Sequence, residues 1–160
     1  MSPGAPLAMK IDGASITLYP KGAKFLDDGL VNDTLGWLGA HQDARSYFEK
    51  ALSLYLKDDK TQFRNLLDEL RRAMEELLRS ILGNDKSLEN QKGSLGQWFK
   101  DRGIHDQVRN MYATLLSQFA TYQNDAVKHG NDWNESEVEY MIYLTGTFMR
   151  MLLVLNGDSR

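Results

Sequence analysis

The chain has 160 residues, a length that suits one domain with a substantial core. Its net charge of −3 does not suit non-specific nucleic-acid binding, so any such contact needs a local basic patch. The absence of cysteine excludes disulfides, thiolate metal sites and cysteine nucleophiles, and it makes the cytoplasm the expected location. We expect no membrane contact, because no apolar run approaches the ~18 residues of a membrane span.

The first 40 residues show little regular periodicity. A short β-like run at residues 16–19 ends at Pro20 and Gly22, and the apolar segment after it is interrupted by Gly29, Gly36 and Gly39. Residues 1–40 are therefore predicted to be an irregular N-terminal arm or a remnant left by cloning. Residues 41–160 are predicted to form one helical domain.

Helical periodicity begins at about Asp43, and the first predicted helix covers residues 43–55. A second helix is predicted at residues 63–81, with a single apolar stripe and Gly83 just beyond its end. Its opposite face places Asp68 four residues before Arg72, which is a favourable ion-pair spacing. The segment "LGQWFKDRG" then predicts a short helix of about two turns.

The third long helix is predicted from Asp106 to about Lys128, and the fourth from Asn134 to about Leu155. The apolar stripe assigned to the third helix consists of Val108, Met111, Tyr112, Leu115, Phe119, Tyr122 and Ala126. The fourth helix is apolar nearly all round, which is typical of a central helix or a subunit interface, and it leads us to expect a homodimer. Gly146 lies in the middle of this helix, where we expect another helix to cross closely.

Most motifs for catalysis and ligand binding are missing from the sequence. The three histidines, His41, His105 and His129, lack metal-ligand spacing, and no phosphate-binding glycine loop occurs. The serines lack the context of a nucleophile elbow. We therefore expect neither a metal nor a cofactor.

His129 is the remaining candidate for chemistry. It borders the apolar stripe of the third helix, with Asn124 and Asp125 about one turn behind it. This polar cluster forms either the floor of a pocket or the end of a helix, where Lys128 and His129 would satisfy the last carbonyl groups.

The charged second helix, "LLDELRRAMEELLRSIL", and the "NDAVKHG" that precedes the final helix, "SEVEYMIYLTGTFMRMLL", resemble the HEPN superfamily, especially its Abi-like bacterial branches. The resemblance covers residues 43–156. It implies an all-α, four-helix HEPN-like bundle that forms dimers. It also implies a role in toxin–antitoxin, abortive-infection or CRISPR systems, in which many members are metal-independent ribonucleases.

The motif of that superfamily is an arginine, a polar residue and a histidine four to six residues beyond. Carried onto this sequence, the histidine is His129, the arginine position falls on Asn124 or Gln123, and Asp125 is the polar residue. The resemblance thus makes His129 the general acid or base, with Asn124 and Asp125 orienting it and the phosphate. The arginine itself is missing, and with it the fixed positive charge beside the scissile phosphate.

Further candidates could bind a ligand beside these residues. Lys128 is a substitute charge, although it lies about 100° around the helix from the adjacent histidine. Arg71, Arg72 and Glu75 form either a solvated, salt-bridged face or one wall of the cleft. Trp133 either stacks on a base or anchors a loop onto the core.

The resemblance leads to two hypotheses about function. The first is a HEPN-like helical module of a bacterial abortive-infection or toxin-type system, which dimerises, has degenerate catalysis and binds a protein, nucleotide or RNA partner. The missing arginine and the acidic charge favour it. The alternative is an active metal-independent endoribonuclease that uses His129. Convergent basic groups around this histidine would favour RNA, whereas an apolar or acidic rim would favour a protein partner.

Overall fold

The computed structural model describes the backbone of residues 7–12, 15–20, 26–129 and 134–160, and the side chains of residues 26–125 and 134–160. Two antiparallel strands come first, β1 (Leu7–Asp12) and β2 (Ser15–Pro20). Their register pairs Leu7 with Pro20 and Asp12 with Ser15. The β-like run predicted at residues 16–19 lies within β2.

Six α-helices follow in the described part of the chain. They are α1 (Asp33–Trp37), α2 (Gln42–Leu56), α3 (Phe63–Leu82), α4 (Lys92–Asp101), α5 (Asp106–His129) and α6 (Glu135–Asn156). A π-helical segment, Asp27–Asn32, runs directly into α1, and 3-10 turns occupy Leu38–Ala40, Lys60–Gln62 and Leu88–Asn90. The prediction of an all-α domain is confirmed, but the domain has six helices rather than four.

Helix α3 forms as its sequence pattern predicts. One stripe of side chains is buried in the core: Phe63, Leu66, Leu67, Leu70, Met74, Leu77 and Leu78. The helix ends at Gly83, whose φ of 63° lies in the left-handed region that glycine adopts without strain. On the outer face, Asp68 and Arg72 form the predicted ion pair at 3.0 Å.

The segment from Asp27 to Ala40 differs from the prediction of an irregular arm. It is helical, and its apolar side chains Val31, Leu35 and Leu38 are fully buried in the domain core. Helix α6 holds it in place, because Arg150 donates a hydrogen bond to the Gly29 carbonyl oxygen at 2.6 Å. This packing outweighs the low helix propensity that the glycines impose.

Helix α6 packs against α3 and against the segment from Asp27 to Trp37. Its buried residues include the predicted core face: Val138, Met141, Ile142, Thr145, Phe148, Met149 and Leu152. In the described part of the chain it is the one helix long and apolar enough to cross a membrane, with a mean hydropathy of 1.3, contrary to the expectation that no segment approaches a span. Within this helix, 50% of its most apolar stretch is buried inside the domain. The core helix of a folded domain has the same apolar composition, so this composition alone does not indicate a membrane span.

Helix α5 buries only part of the predicted stripe, and its buried face is turned towards Leu116, Ala120 and Gln123. Tyr112, Leu116, Phe119, Ala120 and Gln123 are buried, whereas Val108, Met111 and Leu115 are exposed. The sequence offers two overlapping apolar stripes on this helix, and packing against α4 and α6 selects between them. Tyr112 fixes the choice through an edge-to-face contact with Phe99 and by donating a buried hydrogen bond to the Phe148 carbonyl oxygen at 3.0 Å.

Candidate functional site

Asn124 is joined to α3 through a carboxylate that the sequence analysis missed, Glu89. The Asn124 side-chain amide donates to Glu89 Oε1 at 3.3 Å, and Arg71 Nη2 donates to the same oxygen at 3.0 Å. Arg71 Nη2 also lies 3.5 Å from Glu75 Oε2. The structure therefore brings three of the predicted site residues, Asn124, Arg71 and Glu75, into one polar cluster around Glu89.

The turn that carries Glu89 is itself held by α3. The backbone N–H of Leu88 donates to Glu75 Oε2 at 2.9 Å, and Arg79 Nε donates to the Lys86 carbonyl oxygen at 3.0 Å. The 3-10 turn Leu88–Asn90 thus faces α5 in a fixed orientation. No spacing in the sequence marks Glu89, because it lies 35 residues before Asn124 in a polar loop.

Glu89 is an anion at neutral pH. Burial by itself would raise the pKa of this carboxyl group, but hydrogen bonds from its own backbone N–H, Arg71 and Asn124, together with the charge of Arg71, lower it to about 2. The positive charge of Arg71 is consequently matched by Glu75 and Glu89. The cluster does not present an uncompensated cation to a phosphate.

A cavity of about 220 Å³ opens beside this cluster. Its lining residues are Leu88, Glu89, Lys92, Leu95, Ala113, Leu116, Ser117, Ala120, Thr121 and Asn124. The cavity is therefore lined equally by apolar and polar residues, and the exposed Lys92 is among the polar ones together with Glu89 and Asn124.

Gln123, the other position for the motif arginine, lies in the core. Its side chain is 1% exposed, and neither Nε2 nor Oε1 has a hydrogen-bond partner within the described residues. An arginine here would bury an unpaired charge, which is strongly unfavourable. Of the two positions, Asn124 is therefore the one beside the polar cluster and its cavity.

The remaining predicted residues do not join the cluster as the structure describes it. Asp125 is exposed, and no described side chain pairs with it. Arg72 pairs with Asp68 on its own helix and lies over the ring of Tyr47 on α2, so it belongs to another face of α3.

Three predicted site side chains, those of Lys128, His129 and Trp133, lie outside the described residues. The backbone of α5 does extend to His129.

A second concavity lies between α5 and α6, and its volume is about 350 Å³. It is lined by Leu115, Gln118, Phe119, Tyr122, Glu137, Tyr140, Met141 and Leu144. Near one end the Tyr122 hydroxyl donates to Glu137 Oε2 at 3.4 Å. Burial, and then the negative charge of Glu137, raise the pKa of Tyr122. This groove is apolar with one carboxylate at its edge.

Among the described residues, no three histidine, aspartate or glutamate side chains converge as metal ligands would. No family model, no curated protein and no solved structure matches the chain.

Proposed function

We propose that this chain is a dimerising helical module of a bacterial abortive-infection or toxin-type defence system, cytoplasmic, HEPN-like in architecture and degenerate in catalysis. The defence role is what the resemblance of the second and final helices implies. The dimerising role rests on one structural observation, an apolar surface that we call the α5–α6 face. It consists of the exposed side chains Val108, Met111, Leu115, Tyr140 and Val154.

These side chains form two neighbouring stripes. Val108, Met111 and Leu115 are spaced by three and four residues along α5, so they share one side of that helix. Tyr140 and Val154 are separated by about four helical turns and share one side of α6. The stripes lie side by side, because Leu115 and Tyr140 line the same groove.

A second copy of this chain fits the α5–α6 face. The face carries both protruding apolar side chains, such as Met111, which is 61% exposed, and a groove that could receive them. An isologous two-fold interface needs such self-complementarity. Among the lining residues the groove has one carboxylate, Glu137, which lies at its edge and accepts a hydrogen bond from Tyr122, so covering the groove affects a single charged group.

The surroundings of Asn124 favour this module over the ribonuclease alternative. Asn124 and Arg71 both donate to Glu89, and Arg71 is also paired with Glu75. On the other side of α5, the groove is apolar with an acidic edge. Such a rim suits a protein surface better than an RNA backbone.

Light scattering coupled to size exclusion, over a wide micromolar range, tests the proposal. We expect a dimer that Met111→Lys and Tyr140→Lys convert to monomer. Leu26→Lys is the matched control, because Leu26 is 38% exposed on the α1 side of the domain, and this variant should stay dimeric. A wild-type monomer at every concentration would contradict the proposal, as would equal behaviour of all three variants.

A further inference from the structure

His41 links a serine and an aspartate that are remote in sequence. Its Nδ1 lies 2.7 Å from Ser80 Oγ, and its Nε2 lies 2.9 Å from Asp158 Oδ2. His41 precedes α2, Ser80 lies in the last turn of α3, and Asp158 follows α6. Three segments of the fold thus converge on one hydrogen-bonded chain, Ser80–His41–Asp158.

The charge state of Asp158 determines where the protons lie in the series Ser80–His41–Asp158. Burial would raise the pKa of Asp158, but hydrogen bonds from Asn156 and His41 outweigh it and lower the pKa, so the group is a carboxylate. The carboxylate accepts a hydrogen bond from Nε2–H, and this leaves the lone pair of the neutral His41 ring on Nδ1. The Ser80 hydroxyl therefore donates to Nδ1, which is the arrangement of a nucleophile with its general base.

The hydrogen-bonded series Ser80–His41–Asp158 is buried at the aspartate end and exposed at the serine end. The side chains of His41 and Asp158 are 8% and 18% exposed, whereas Ser80 is exposed. Ser80 and His41 border a cleft of about 500 Å³. The charged residues that line the same cleft are Asp43, Glu76, Arg79 and Asp85. The Ser80 hydroxyl oxygen is therefore accessible to a substrate, and Asp158 holds the His41 ring through Nε2.

We propose that Ser80, His41 and Asp158 form a hydrolytic site for carboxylic esters. Ser80 Oγ attacks the carbonyl carbon while its proton passes to His41 Nδ1. The bond to the alcohol oxygen then breaks, and the alcohol leaves with that proton. Water attacks the acyl-serine by the same route, which releases the acid and restores the Ser80 hydroxyl. Asp158 holds the tautomer and stabilises the imidazolium.

The ring nitrogens of His41 are used in the opposite sense from a chymotrypsin-type triad, where Nε2 faces the serine. General-base catalysis requires one accepting and one donating nitrogen, and either arrangement supplies both. The first turn of α2 borders the cleft, and no described side chain caps it, so we assign its backbone N–H groups as the donors to a developing oxyanion.

Charge along the cleft indicates which esters would enter. Asp43 and Asp85 are exposed there, and Arg79 is paired with Glu75 and Glu76. The cleft therefore has no uncompensated arginine and an excess of carboxylates among its lining residues. It suits neutral or cationic esters and disfavours anionic ones.

The experiment measures hydrolysis of p-nitrophenyl acetate by the full chain and maps covalent labelling by a fluorophosphonate probe. We expect the label on Ser80, and no label on this site in Ser80→Ala. His41→Gln should lower the rate by about 100-fold or more, because general-base catalysis contributes at least that much. Asp158→Asn should lower it as well, because the amide no longer fixes the tautomer.

Two variants serve as matched controls. Ser53 is an exposed helical serine whose hydroxyl donates to the Glu49 carbonyl oxygen, and Ser53→Ala should keep the full rate. His105 is exposed, and His105→Gln should also keep the full rate. A lower rate in this variant would indicate unspecific catalysis by an exposed imidazole.

An unlabelled Ser80 in the wild-type protein would overturn the proposal, as would an equal rate in Ser80→Ala. The labelling result does not depend on whether a variant folds, and neither result depends on the oligomeric state.

Discussion

A Cβ atom placed on Gly146 would lie 2.5 Å from the carbonyl oxygen of Leu30. Gly146 is in the middle of α6, and Leu30 belongs to the π-helical segment that crosses it. The predicted close approach at Gly146 is confirmed, and the crossing element comes from the part of the chain expected to be irregular. The contact explains a glycine where the helix would otherwise gain from alanine.

Gly146→Ala should lower the free energy of unfolding by about 1–3 kcal/mol, because the clash is with backbone rather than with a movable side chain. The matched control is Gly96→Ala in α4, where an added Cβ meets nothing within 4 Å. That variant should be neutral or more stable by up to about 1 kcal/mol. Denaturant titrations followed by circular dichroism measure both, and stabilisation by Gly146→Ala would show that the contact is not tight.

Gln123→Met should raise the free energy of unfolding by about 1–2 kcal/mol, because it removes a buried amide without a partner among the described residues. Gln91 is the matched control. Gln91 is fully buried too, but it exchanges two hydrogen bonds with Asn84, at 3.0 and 2.8 Å. Gln91→Met should therefore lower the free energy of unfolding by about 1–2 kcal/mol. Destabilisation by both changes in denaturant titrations would contradict the assignment of Gln123 as unsatisfied.

Glu89 should make stability depend on pH. Its pKa is lowered from 4.5 to about 2 in the folded protein, so its contribution is present above pH 4.5 and is lost as the pH falls towards 2. Glu89→Gln should cost at most about 1 kcal/mol at neutral pH, since solvent screens a partly exposed pair. The difference from the wild type should shrink as the pH falls below 4.5 and vanish only below pH 2.

Denaturant titrations at a series of pH values test this dependence. Asp125→Asn is the control, because Asp125 is exposed and unpaired among the described side chains, and it should change little at any pH. If Glu89→Gln lowers stability equally at every pH, the carboxylate acts through hydrogen bonds rather than through its charge.

Asn124→Arg should not produce a ribonuclease. The new guanidinium would lie beside Glu89 and compete with Arg71 for the same carboxylate, so it would add no free cation. We expect unchanged RNA binding by fluorescence anisotropy and no cleavage of structured or unstructured RNA, with or without His129→Ala. Cleavage that appears in Asn124→Arg and is lost on adding His129→Ala would instead support the ribonuclease alternative.

The sequence alone determined the features that depend on neighbours along the chain. Asn134 was predicted to begin the last helix, and its side chain accepts a hydrogen bond from the Ser136 backbone N–H at 2.9 Å. Gly83 ends α3 in the left-handed conformation, as expected. The stripe of α3 is buried because one face of that helix is apolar and the other is charged, so its orientation has one favourable solution.

Only the tertiary structure decided the features that depend on remote segments. Helix α5 carries two overlapping apolar stripes, and Phe99 and Phe148 determine that Tyr112 turns inwards while Met111 remains exposed. Glu89 meets Asn124 across 35 residues, and His41 meets Asp158 across 117. Spacing along a helix constrains contacts within a few turns, whereas these pairs form because the packed core brings separate segments together.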